Sequence, residues 1–244
     1  MADGKTPTEV LKTLPYDTSR SKKPGKLPDS KRYRDPRHVY ETAGLLYEGD
    51  EGMVHVTDFG VATLRWLSKL TAKNLVILGR HAAYALSACQ LRTPIGVYPY
   101  DASVTVFPFA YIWRAMLALD NKISSDELNR AIFKVTNEKE LYEAVENIAN
   151  ARAAGDLSIM GEETVSGEKK NDRIIPWISI ASFGWTLIQD KQSGDQAEYY
   201  RIPDSTLSLI REAAAIRHNH RDFKTTAAYV EHIARTAALP KDLR

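Results

Sequence analysis

The chain has almost no cysteine: Cys89 is the one thiol in 244 residues, and it sits in an apolar stretch. That excludes a disulfide framework and any zinc site built from cysteines, and it favours a reducing compartment. Long apolar runs are missing too. None approaches the roughly 18 residues that span a bilayer, and the opening Met-Ala-Asp-Gly-Lys has no signal-peptide core, so the expectation is a cytoplasmic protein without a membrane partner. Charge of one sign is also scarce. Lys and Arg number 33 against 31 Asp and Glu, a net +2, so a polyanion partner would have to be met by local charge rather than by the whole molecule. Motifs of catalysis are equally thin: there is no Gly-rich phosphate loop, no Gly-X-Ser-X-Gly elbow and no His-Glu-X-X-His helix. With 43% hydrophobic residues the chain can still bury one large core or two small ones.

What is present is a pattern that occurs twice: a helical segment with a basic edge, a short β-ribbon, and a further amphipathic helix. In the first copy Pro36 opens a helix with Val39, Ala43, Leu45 and Leu46 on one stripe, ended by the turn Gly49 to Gly52. Met53 to Thr57 alternates like a strand, and Asp58 is expected to cap a helix from Phe59 to Leu70. Arg37, His38 and Glu41 are expected to share the polar face of the first helix. Asn74 to Gln90 reads as a connector helix, apolar on more than one face and so buried between modules.

Pro108 opens the next helix, through Phe109, Ile112, Met116 and Leu119. Asp120 to Leu128 reads as a helix-turn-helix signature, with a buried Ile123 and Ser124 or Ser125 as N-cap of a helix over Asp126 to Phe133. Glu138 to Ala153 is a helix, Gly155 to Lys170 a loop. A helix over Asp172 to Ser182 carries Pro176 in its first turn, followed by a ribbon pairing Trp185–Ile188 with Tyr199–Ile202. Ser205 to Arg217 and Thr225 to Ala238 close the chain as helices. The fold class expected is α+β, predominantly helical, with two winged-helix modules joined by a helix. The divisions are 1–30 as a flexible basic arm, 31–92 as the first module and connector, 93–217 as the second module, and 218–244 as a C-terminal helix.

Local charge supplies the candidate site. Between Arg20 and Arg37 there are eight cations, Arg20, Lys22, Lys23, Lys26, Lys31, Arg32, Arg34 and Arg37, against Asp29 and Asp35. Such a segment neutralises phosphates without fixed geometry, although a solvated tail reads the same way. Lys31, Arg32, Tyr33, Arg34, Arg37 and His38 are the first candidates for DNA contact. Lys169, Lys170, Asn171 and Arg173 are the second set, because they put donors beside a helix N-terminus, with Ser179 and Ser182 facing bases. The alternative is that Trp177, Ile180 and Phe183 only dock that helix.

Three other constellations are read as structural. His218 and His220 in Arg217-His-Asn-His-Arg lack the further His or carboxylate that a metal site needs, so their neighbours Arg217, Arg221 and Lys224 count as a cationic patch. Glu168-Lys-Lys170 has the letters of a metal-nuclease site but no preceding apolar strand. The aromatics Tyr98, Tyr100, Phe107, Phe109, Tyr111 and Trp113 read as core rather than as a pocket for an extruded base. No catalytic residue, metal ligand or cofactor is expected.

The segments Tyr40-Glu-Thr-Ala-Gly-Leu-Leu-Tyr and Val56-Thr-Asp-Phe-Gly resemble a known family pattern. Phe107-Pro-Phe-Ala-Tyr-Ile-Trp-Arg and Leu119-Asp-Asn-Lys-Ile-Ser-Ser-Asp-Glu-Leu add to it. Together they resemble the tandem winged-helix specificity regions of prokaryotic restriction endonucleases of the AlwI type, over about Pro36 to Arg217. The resemblance implies a double-stranded DNA-recognition module of a defence protein, with a nuclease subunit or domain as further partner. The nuclease domain that follows such regions is not seen in this chain. A winged-helix transcriptional regulator and a nuclease with an unrecognised active site are the alternatives.

Overall fold

The computed structural model describes residues 4, 37–69, 71–95, 100–163, 178–190 and 199–239. They form an α+β fold, predominantly helical, with two small antiparallel sheets. Residues 37–42 are helical and lead to Gly44, whose φ of +75° turns the chain into β1 (Leu46–Glu48). β1 pairs antiparallel with β2 (Val54–Val56), Tyr47 opposite His55. α1 (Asp58–Ser68) follows directly. Its N-cap is Thr57 rather than the expected Asp58: the Thr57 hydroxyl accepts from the Gly60 amide, which leaves Asp58 inside the first turn.

α2 (Ala72–Ser87), capped by Thr71, buries Leu78, Gly79, His81 to Ala83 and Ala85 to Ser87, as a helix apolar on several faces must. It touches α1, the turns at Phe183–Trp185 and Asp204–Thr206, and the helices Pro108–Ala118, Leu207–Ala215 and Thr226–Thr236. α3 (Pro108–Ala118) uses Pro108 at its start, where a missing amide proton costs nothing, and buries Phe109, Tyr111, Ile112 and Trp113. These aromatics are core, as their spacing suggested. Tyr100 and Phe107 instead stand against His220 and His218.

The polar turn after α3 has Asp120 and Asn121 at positive φ. It does not pass straight into a helix: Ile123–Ser124 form a strand, β3. Asn121 completes the edge, its side-chain amide donating to the Ile202 carbonyl at 2.9 Å and accepting from the Ile202 amide at 3.0 Å. Ser124 then caps α4 (Ser125–Arg130) in a reciprocal box with Glu127. Glu127 is buried and meets Arg152 of α5 (Glu138–Ala154) at 2.7 Å, while the same guanidinium donates to the carbonyls of Leu119 and Lys122. One arginine thus ties α3, the turn, α4 and α5 together.

Residues 178–181 are helical and run through a kink at Gly184 (φ +66°) into β4 (Ile188–Asp190), later in the chain than the expected ribbon. Trp185, also at positive φ, belongs to the turn. β5 (Tyr199–Arg201) lies between β3 and β4. α6 (Leu207–Ala215) and α7 (Thr226–Thr236) follow. The buried side chains form one continuous core from Phe59 to Leu239 across both halves.

Two glycines show how closely the halves meet. A Cβ built on Gly44 would lie 2.7 Å from Ile233 Cγ2 of α7, and one built on Gly184 would lie 2.6 Å from Ala82 Cβ of α2. Gly52, at φ +74° in the hairpin turn, has open space around it. Left-handed backbone costs an alanine roughly 1–2 kcal/mol, and overpacking a core roughly 1–3 kcal/mol more. Gly44→Ala and Gly184→Ala are therefore expected to lower unfolding free energy by about 2–4 kcal/mol, and Gly52→Ala by about 1 kcal/mol. Urea unfolding of the three variants checks this order.

Candidate nucleic-acid interface

The described part of the first helix is not a free basic face. Arg37 pairs with Glu48 on β1 and, at 3.4 Å, with Glu41 one turn along its own helix. Its charge is spent inside the molecule, holding the helix to the hairpin. Glu41 does not share the polar face as expected: it is buried at 2% exposure. Burial pushes its carboxyl up to about 7 against the pull of Arg37. The side chain on this helix that does face solvent is Tyr40, 46% exposed. His38 is half-buried. Lys31, Arg32, Tyr33 and Arg34 lie outside the described residues.

The hairpin tip carries Glu48, Asp50 and Glu51, with Glu51 paired to His55. An acidic tip repels phosphate, so this hairpin is no backbone clamp. The second half repeats the point. Arg201 on β5 is flanked by Asp190 at 3.8 Å and Asp204 at 3.5 Å. α5, the second helix after the turn, holds Glu138, Glu140, Glu143 and Glu146 against Lys139 and Arg152, and Arg152 is already bound to Glu127. Its outer face is unsuited to a phosphate backbone. Lys122 stands 4.0 Å over the Tyr199 ring.

In the helical residues 178–181 the apolar positions Ile178, Ile180 and Ala181 are buried, while Ser179 is exposed. Ser182, just beyond, is exposed too, and its hydroxyl donates to the Ile178 carbonyl at 2.8 Å. Both residues are exposed, with the Ser182 hydroxyl turned back onto its own helix, and Ile180 is docked in the core. Lys169, Lys170, Asn171, Arg173 and Trp177 lie outside the described residues, and so does Glu168.

His218 and His220 have structural partners. Ser87 gives its hydroxyl proton to the Tyr84 carbonyl, so His218 Nε2, 2.9 Å away, is the donor to Ser87 Oγ. Gln90 pins the same segment through two bonds to the Arg221 backbone, at 2.9 and 2.8 Å. The two histidines border a cleft of about 230 Å³ with Tyr111, Arg114, Glu138 and Arg217. Arg114 is not free there: it donates to the carbonyls of Ala214 and Ile216 and pairs with Glu138 at 2.6 Å. Among the described residues no group of three His, Cys, Asp or Glu is placed to hold a metal ion, and no helix is long and apolar enough to cross a membrane. No known family model and no curated protein matches the chain.

Because Glu41 takes up its proton more readily folded than unfolded, its contribution is full below about 4.5 and is lost as pH rises through about 7. Glu41→Gln is expected to flatten the pH dependence of stability across that window and to be the more stable form above it. Chemical denaturation from pH 4 to 8 measures this. Parallel curves for the two proteins would show that Arg37 holds Glu41 ionised.

Proposed function

We propose that this chain recognises double-stranded DNA through two winged-helix modules, as a sequence- or modification-specific part of a prokaryotic restriction or defence protein. The observation that supports the reading best is the connectivity of the second half. A helix (α3), a strand (β3), two helices (α4, α5) and, after the helical residues 178–181, a hairpin (β4, β5) with its last strand central is the order expected of a winged helix with one helical segment added ahead of its hairpin. The first half keeps the helix, the hairpin and the helix that follows. The AlwI-type resemblance points the same way and adds a nuclease subunit or domain as partner.

The charges favour a particular division of labour. The acidic tip of the β1–β2 hairpin and the acidic α5 leave the basic segment Arg20 to Arg34 and the Lys169 to Arg173 stretch as the phosphate contacts, with the helices ahead of each hairpin turned to the bases. The regulator reading has one observation in its favour, the cleft beside Arg114 and Arg217. Since Arg114 and Arg217 both already meet Glu138, that cleft offers an effector little free charge.

Duplex affinity should fall steeply with salt. Each phosphate neutralised contributes about 0.9 to the slope of log K against log salt, so a K22Q/K23Q/K26Q variant is expected to shed up to about 3 units of slope while weakening all sequences alike. Fluorescence anisotropy over a salt series reads both quantities. Affinity indifferent to salt and to the triple substitution would contradict the DNA reading.

A further inference from the structure

The two halves repeat each other more closely than helix, hairpin, helix. Pro36 precedes Gly44, and Pro176 precedes Gly184, with seven residues between in both cases. Both glycines are left-handed, at φ +75° and +66°. The residue after each, Leu45 or Trp185, offers its carbonyl to a buried threonine beyond the hairpin. Thr57 donates to Leu45 at 3.2 Å and Thr206 to Trp185 at 3.1 Å. Each threonine then leads into two helices, α1 and α2 or α6 and α7. Beyond that shared bond the threonines differ: Thr57 also donates to the Gly44 carbonyl at 2.7 Å and caps α1, whereas Thr206 also donates to the Pro203 carbonyl at 3.2 Å and makes no cap bond to α6.

The last helix of each unit packs on the other. α2, from the first unit, lies on the Gly184 junction of the second, with Gly79 so close that its Cβ would sit 2.5 Å from the Gly184 carbonyl. α7, from the second unit, lies on the Gly44 junction of the first through Ile233 and Ala234. α2 also meets α6, and α7 meets α1. Between them α2 and α7 touch each other, His81 Nδ1 donating to the Ala237 carbonyl at 2.6 Å. Patch against patch and the reverse, with a self-contact in the middle, is how an isologous dimer is built. Here both partners belong to one chain.

We infer that the two units are related by an internal twofold, and that a single copy of the chain reads two half-sites of one duplex in inverted orientation. This rests on the DNA-recognition reading. A protein twofold is mirrored by a dyad in the contacted duplex, because equivalent backbone contacts fall on opposite strands. The half-sites differ in sequence, since the solvent-facing residues ahead of the hairpins differ: Tyr40 in the first unit, Ser179 and Ser182 in the second.

The test is selection of preferred duplexes from a randomised pool with the full chain, followed by hydroxyl-radical footprinting of a preferred duplex at one chain per duplex. The expected result is two protected blocks whose pattern on one strand reappears on the other about a central dyad. Their centres should lie near a multiple of about 10.5 bp, so that both face one side. Tyr40→Ala should relax preference in one block and Ser179→Ala in the other, with thermal unfolding unchanged. A single block, a pattern translated along one strand, two chains per duplex, or both variants relaxing the same block would overturn the inference. So would binding without any preferred duplex, which leaves DNA binding standing. Failure to bind any duplex overturns both readings.

Discussion

The rest of the molecule depends on two backbone junctions where a side chain has no room. At Gly44 and Gly184 the chain leaves a helix in left-handed conformation and enters a hairpin, and at each a helix from the far half closes to within contact of the glycine Cα. Protein interiors are packed closely enough that one extra carbon is felt at such a point. Closing both junctions brings α2 and α7 together and merges the apolar faces of the two halves into one core. Neither half can then bury its last helix without the other.

This arrangement explains where charge is left over. Arg37, Arg114 and Arg152 are consumed in holding elements together: the helix to its hairpin, α3 to the end of α6, and α5 to the turn before α4. Burying one partner of such a pair costs desolvation energy, so Glu127 is matched by a bidentate guanidinium and a capping amide, and Glu41, less well matched, has its carboxyl pushed up instead. The hairpin tip between Glu48 and Glu51 is acidic. The proposed DNA contacts are accordingly the solvent-facing Tyr40, Ser179 and Ser182 and the basic stretches of sequence ahead of them.

Much of this was legible from the residues in order. Pro108, the turn at Asp120 and the serine cap announced α3 and α4, and periodicity announced α2, α5, α6 and α7 within a few residues. The twofold pattern of helix, hairpin and helix was visible as well. Long-range contacts were not. Nothing local distinguishes Thr57 from Asp58 as a cap until the carbonyls of Gly44 and Leu45 are seen to fix the Thr57 hydroxyl. Glu41 looked solvent-facing because helical period alone cannot know that the hairpin strand carrying Glu48 packs beside it. β3 escaped notice because two residues carry no strand period, and its pairing depends on Asn121 reaching Ile202. The Pro and Gly spacing shared by the two units was the available signal for the exchange of α2 and α7. Of the proposed contact residues, those in the basic segments fall outside the described residues, and Arg37 proved to be an internal brace.

If the halves close each other's junctions, they must open together. Native-state hydrogen exchange under increasing denaturant tests this most directly, through the amides of α2, α7 and the β1–β2 hairpin. The expected result is that all three exchange through one opening, with a common free energy and a common denaturant dependence. Exchange of α7 and the β1–β2 hairpin through a separate, less costly opening, with α2 still protected, would contradict reciprocal closure.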